Sequence, residues 1–231
     1  MTRVIRLSTE DAWPLIEDVC GVPIKDYHEA HGLQYSQYSN KGGSGQLLED
    51  MIGIGKSSDP IDLTDGEIKS YKKGQTIAIS MITTHIHELV EQYSFKDSWI
   101  YNKIKQTIFV PRWEDKNNKD NTFFVKPFLW NEESYPNDFL KIEEDWDYLC
   151  EEVNKCYRSG NLMRTISGPN KYIQIRTKGS GGGKDKPISY NGSIISNQKR
   201  AIYFMNPHMG NYFFEKSEDI IEKTLSEVGW R

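Results

Sequence analysis

The chain has 231 residues, and 29 Lys+Arg against 33 Asp+Glu leave a formal net charge of -4. A hydrophobic content of 37% and an aromatic content of 12% supply a core and exclude a disordered chain. The apolar stretches are only a few residues long, as at Ile77 to Ile82, which Ser80 interrupts, and this excludes a membrane-spanning helix.

Taken in chain order, the opening segment Met1–Asp11 lacks the apolar run of a signal peptide, so a cytoplasmic protein is expected. Residues 8 to about 31 read as helix. Ser8-Thr9-Glu10-Asp11 offers a cap, and Trp13, Ile16, Val19 and Cys20 follow at helical spacing. A polar stretch, Gln34 to Ser44, leads to a second helix near Gly45 with Leu47, Leu48, Met51 and Ile52 on one face. Ile61–Leu63 and Glu67–Tyr71 flank Thr64-Asp65-Gly66, which predicts a hairpin. Gln75 to Ile82 reads as strand and residues 85–106 as helix. Ile108–Trp113 and Phe123–Trp130 read as strands joined by the polar loop Glu114–Asn121. Asp138 to Arg158 reads as a long helix. Ile173, Ile175 and Thr177 alternate with Gln174, Arg176 and Lys178, a strand running into the loop Gly179–Gly183. Ala201–Met205 and Tyr212–Phe214 are late strands, and Ser217–Val228 is a closing helix. The expected fold is a single mixed α/β domain over residues 1–231 with a largely central sheet.

Charge is unevenly placed. Asp138, Glu143, Glu144, Asp145, Asp147, Glu151 and Glu152 face only Lys141 and read as a solvated helix face. Lys171, Arg176, Lys178, Lys184 and Lys186 face only Asp185. A basic, Gly-rich segment in an acidic chain is a candidate surface for an anionic partner.

Several chemistries fail on spacing. The Gly-rich run lacks the phosphate-loop pattern, because the residue five before Gly183 is Lys178 and Lys184 is followed by Asp185. His85-x-His87 has no third ligand at metal spacing, so both read as ordinary surface or core histidines. Cys20, Cys150 and Cys156 form no Cys-x-x-Cys pair, which excludes a zinc ribbon or disulfide scaffold.

Two Glu-x-Lys tripeptides remain, Glu67-Ile-Lys69 and Glu114-Asp-Lys116, and only the first lies in an extended segment. On a strand, residues i and i+2 share a face. Glu67 and Lys69 would point one way while Ile68 enters the core, and Asp62 can bring a second carboxylate. Two carboxylates and an ammonium suit a Mg²⁺-dependent phosphodiesterase, since hard Mg²⁺ takes oxygen ligands and lowers the pKa of its water. A surface hairpin carrying an i, i+2 charge pair is the alternative.

Lys41-Gly-Gly-Ser-Gly-Gln-Leu-Leu-Glu49 followed by Asp62…Glu67-Ile-Lys69 resembles the active-site region of the MutH family of DNA endonucleases. That family joins the methyl-directed mismatch-repair nickase to GATC-cutting type II restriction enzymes. Four further blocks resemble it in the same order. They are Ser98–Pro111 with Lys103; Phe128-Leu-Trp-Asn with Glu143-Glu-Asp-Trp146; Lys171–Lys178; and Arg200-Ala-Ile-Tyr203-Phe. Together they cover roughly residues 35–215.

The resemblance implies a restriction-endonuclease-like fold with a PD-(D/E)xK site. It makes Asp62 and Glu67 metal ligands with the Ile68 carbonyl, for one or two Mg²⁺. Lys69 would position the attacking water, Glu49 would be an accessory acid, and Lys103 would support the scissile phosphate. Lys41, Arg176, Lys178 and Tyr203 would contact DNA. Two departures stand out. The Asp62–Glu67 gap is shorter than usual, which leaves Asp59 or Asp65 as substitutes for Asp62, and Thr177 replaces a Pro. The expected partner is double-stranded DNA, bound by a homodimer if the chain is a restriction enzyme. A mismatch-repair ATPase would join it if the chain is a repair nickase. A DNA-binding module without catalysis is the reading of another class.

Overall fold

The structure, a computed structural model, describes residues 6–32, 43–54, 61–72, 74–114, 122–178, 186–205, 215, 218–227 and 229. Lys41, Asp59, the Gly179–Gly183 loop and Tyr212–Phe214 lie outside the described residues. The chain divides into two compact units. One comprises Met1–Gln75, Gln106–Trp130 and Gly210–Arg231; the other comprises Thr76–Lys105 and Asn131–Met209. It is mixed α/β, with a mixed sheet and flanking helices.

In the first unit, α1 (Thr9–Val19) starts at a capping box. The Ser8 hydroxyl accepts the Asp11 N–H, and the Asp11 carboxylate accepts from Ser8. Residues 8–31 form two helices rather than the single one expected. Gly21 takes a positive φ of 78° and Pro23 cannot donate a hydrogen bond, so the chain breaks between α1 and α2 (Ile24–His31). In that break Cys20 and Pro23 bridge to Phe124 and Phe123. The third helix, α3 (Gly43–Met51), buries Leu47, Leu48 and Met51.

The sheet of this unit is built on β3 (Gln106–Trp113). β1 (Glu67–Tyr71) runs parallel to it from Glu67↔Thr107 to Tyr71↔Pro111, and β4 (Phe123–Phe124) pairs antiparallel. β5 (Phe128–Asn131) also pairs with β3. The expected hairpin is therefore absent: residues 61–65 form bends, and β1 finds its partner about forty positions downstream. A parallel pair needs a long crossover, and the Thr76–Lys105 segment of the other unit provides it. The residues expected as one strand, Phe123–Trp130, split into two short strands around Pro127, which cannot donate to a ladder. Ile16, Leu48, Ile68, Ile108 and Phe124 meet in one core.

The second unit holds an antiparallel sheet in the order β2 (Ile77–Met81), β10 (Arg200–Phe204), β7 (Ile173–Thr177), β6 (Ile166–Ser167). A 24-residue helix, α6 (Pro136–Ser159), packs on β6 and β7 through a face that includes Ile142, Trp146, Leu149 and Val153. Residues 85–106 contain two short helices, α4 (Ile86–Val90) and α5 (Trp99–Ile104), with a 3₁₀ turn Phe95–Asp97 between them. A hairpin not expected from the sequence, β8 (Ile188–Tyr190) and β9 (Ser193–Ser196), turns at Asn191-Gly192, both with positive φ. Among the described residues no helix is long and apolar enough to cross a membrane.

The acidic run on α6 is not wholly solvated. Asp145 is 0% exposed and accepts the backbone N–H groups of Asn170 (2.7 Å), Tyr172 (2.7 Å) and Ile173 (3.0 Å). It latches the turn that feeds β7. Gly168 lies so close that a Cβ there would fall 2.0 Å from the Asp145 Cγ.

Candidate active site

The bend at residues 61–65 and the start of β1 are tied reciprocally. Asp62 N–H donates to Glu67 Oε2 at 3.2 Å, and Ile68 N–H donates to Asp62 Oδ2 at 3.2 Å. The bend closes further through Leu63 N–H to the Gly66 carbonyl, 3.0 Å. Gly66 is required here, because a Cβ would meet the Gln106 carbonyl of β3 at 2.7 Å.

Glu67 and Lys69 share a face of β1, and Ile68 is buried in the core on the other, as the alternation predicts. The Lys69 ammonium donates to Glu67 Oε1, lies 3.8 Å from Asp62 Oδ2, and reaches the Ile68 carbonyl at 3.4 Å. Three oxygen acceptors thus converge on one cation. Glu67 is only 2% exposed. Burial works against the Lys69 charge, but Glu67, then Asp62, outweighs it and holds the ammonium above its ordinary range.

Helix α3 packs against β1 and carries Glu49. Its carboxyl is pushed up to about 7, first by burial and then by the Asp62 charge, with Lys69 opposing. Glu49, Asp62, Glu67 and Lys69 therefore act on one another electrostatically, which sequence spacing alone did not require.

No family model matches the chain, and no curated protein sequence matches it.

Asp65 takes no part in this group. Its Oδ1 accepts the Thr9 N–H and hydroxyl, both at 2.8 Å, and its Oδ2 accepts from Gln106 Nε2 at 3.2 Å. Its acceptors are spent on the N-terminus of α1 and the start of β3. Of the candidates for the second carboxylate that lie within the described residues, Asp62 is the one beside Lys69.

Among the described residues no three His, Cys, Asp or Glu side chains are gathered into a preformed metal cage. Beside Asp62 and Glu67 the cation is the lysine itself. The donors are nonetheless two carboxylates and a carbonyl, all hard oxygens that fit Mg²⁺. His85 stacks on Trp99 at 4.5 Å and its Nδ1 lies 3.1 Å from Glu88 Oε1, consistent with a packed histidine. The three cysteines are free, and burial pushes the Cys20 thiol up to about 12.

The other expected residues that are described belong to the second unit. Lys103 is half-buried on α5. Arg176 on β7 lies over the Tyr203 ring of neighbouring β10, its Cζ 4.5 Å from the centroid. Ala201 is the residue directly opposite Arg176, and its small side chain leaves the guanidinium room to lean across. Lys178 is exposed just past the end of β7, and its N–H donates to the Lys199 carbonyl at 3.0 Å.

Proposed function

We propose that this chain is a sequence-specific, Mg²⁺-dependent endodeoxyribonuclease with a restriction-endonuclease-like fold and a PD-(D/E)xK site. It acts as a type II restriction enzyme on double-stranded DNA in the cytoplasm. The observation that carries this reading is the meeting of the Asp62 carboxylate, the Glu67 carboxylate and the Ile68 carbonyl at the Lys69 ammonium.

Asp62, Glu67 and the Ile68 carbonyl would hold the metal. Bound there, Mg²⁺ lowers the pKa of water and neutralises charge on the scissile phosphate. The chain's own groups do the rest. The reciprocal Asp62–Glu67–Ile68 tie holds both carboxylates in place before substrate arrives. Lys69, charged and on the same face, donates to the attacking water and aims it. Glu49, whose carboxyl is pushed up to about 7 in the metal-free protein, would serve as an accessory acid beside this group. Arg176, backed by the largely buried Tyr203 ring, and the exposed Lys178 would provide a cationic surface for DNA, with arginine the usual reader of guanine.

One active cluster cuts one phosphodiester at a time, so a restriction enzyme of this design pairs two copies on a two-fold DNA site. The test is cleavage of supercoiled plasmid with Mg²⁺. Wild type is expected to give linear product, at a rate rising steeply with protein concentration, and Lys69→Ala is expected to give none while still binding DNA. Product that stops at open circle and accelerates only with a mismatch-repair ATPase would replace this reading with that of a repair nickase. Binding without any cleavage would leave a DNA-binding module.

A further inference from the structure

We infer that Gln174 is a specificity-determining residue, its side-chain amide pairing with the edge of an adenine next to the base read by Arg176. This rests on the endonuclease reading above and adds a residue to its recognition surface.

Strand pairing puts Gln174 directly opposite Tyr203 on β10 and opposite Ser167 on β6, and Arg176 directly opposite Ala201. Paired residues in an antiparallel ladder share a face. Ser167, Gln174, Arg176, Ala201 and Tyr203 therefore lie on one side of the sheet. The other side carries Ile173, Ile175, Ile202 and Phe204, each at most 1% exposed; on the first side Ala201 is also buried, Tyr203 is 8% exposed and Arg176 is half-buried.

Gln174 is 8% exposed, yet its amide makes no hydrogen bond among the described residues. Its amide atoms are not among the sealed, unpartnered ones either, so the exposure that remains reaches the polar end. The amide thus meets solvent at its polar end with its donor and acceptor unspent inside the protein, placed to pair with a partner that arrives from outside.

The chemistry of that partner follows from the side chain. Glutamine offers one acceptor and one donor side by side, which matches adenine N7 and N6 in the major groove. Arg176 has no carboxylate partner among the described residues and keeps its donor fork for a guanine. The two residues stand two positions apart on one strand, about 7 Å, the span of roughly two base-pair steps. The adenine therefore lies within about two base pairs of the guanine.

The test is selection from a library of randomised duplexes with wild type, Gln174→Met and Gln174→Ala. The methionine variant keeps the length of the side chain and removes only its hydrogen bonds. Wild type should select an invariant adenine within two base pairs of an invariant guanine. Both variants should lose discrimination at the adenine by roughly 5- to 150-fold while keeping the guanine and the salt-dependent non-specific affinity. Variants that select the wild-type sequence at every position overturn the inference. Variants that lose the guanine and the non-specific affinity as well also overturn it, because the role is then structural. If wild type selects no sequence, the endonuclease reading fails together with it.

Discussion

The carboxylate of Asp62 accepts the backbone N–H of Ile68 at 3.2 Å, across the bend that leads into β1. Asp65, three residues later, points its carboxylate to Thr9 and Gln106 instead. Two aspartates in one bend are thus divided between the candidate active site and the scaffold.

Their substitutions should separate accordingly. Asp62→Asn is expected to abolish plasmid cleavage with little change in unfolding midpoint. Asp65→Asn weakens charge-assisted hydrogen bonds to α1 and should cost about 1–3 kcal/mol of stability while retaining cleavage. Paired urea denaturation and cleavage assays read both. Loss of cleavage in Asp65→Asn, at temperatures where it is folded, would show that the second carboxylate has been assigned to the wrong residue.

Glu49 makes stability depend on pH when metal is absent. Burial, then Asp62, pushes its carboxyl up to about 7 from an ordinary 4.5, so the native state holds a proton that the unfolded chain releases. Its contribution is fully present below about 4.5 and is lost as pH rises to about 7. In a chelator, the stability advantage of wild type over Glu49→Gln should fall across that window. A difference that stays flat from pH 4.5 to 7 would mean that Glu49 titrates normally.

Asp145 should behave as a structural latch. Asp145→Ala leaves three backbone N–H groups near Asn170–Ile173 without their acceptor, at a cost of about 3 kcal/mol or more. Gly168→Ala should destabilise through the same place, because its Cβ would overlap the Asp145 side chain. Urea unfolding measures both. A change below about 0.5 kcal/mol in Asp145→Ala would show that water replaces the carboxylate at no loss.

Arg176 and Tyr203 should act together in recognition. Arg176→Ala is expected to lose sequence-specific binding and keep weak, salt-dependent binding. Tyr203→Phe keeps the ring under the guanidinium and should bind as wild type, whereas Tyr203→Ala should weaken specific binding. Competition binding at several salt concentrations distinguishes these. Equal loss of specific and non-specific binding in Arg176→Ala would reduce that residue to a phosphate contact.

Much of the fold was legible locally. The Ser8/Asp11 cap, the apolar face of α6 and the alternation of β7 are written within a few residues of where they act, because helix and strand periods are short-range properties. The shared face of Glu67 and Lys69 was legible for the same reason. The Asn191-Gly192 turn carried a hairpin signal in the sequence that the flanking residues did not make obvious.

What the sequence alone determined, then, is which residues form elements and which side chains share a face. Tertiary structure decided the partners. Local alternation does not distinguish a hairpin from a strand that waits for β3, so the parallel β1–β3 pair was invisible until the crossover closed. The choice of Asp62 over Asp65, the burial of Asp145 in an acidic run, and the approach of Glu49 to Asp62 and Lys69 each depend on residues far apart in sequence. Burial and charge act through space, and only a folded chain sets those distances.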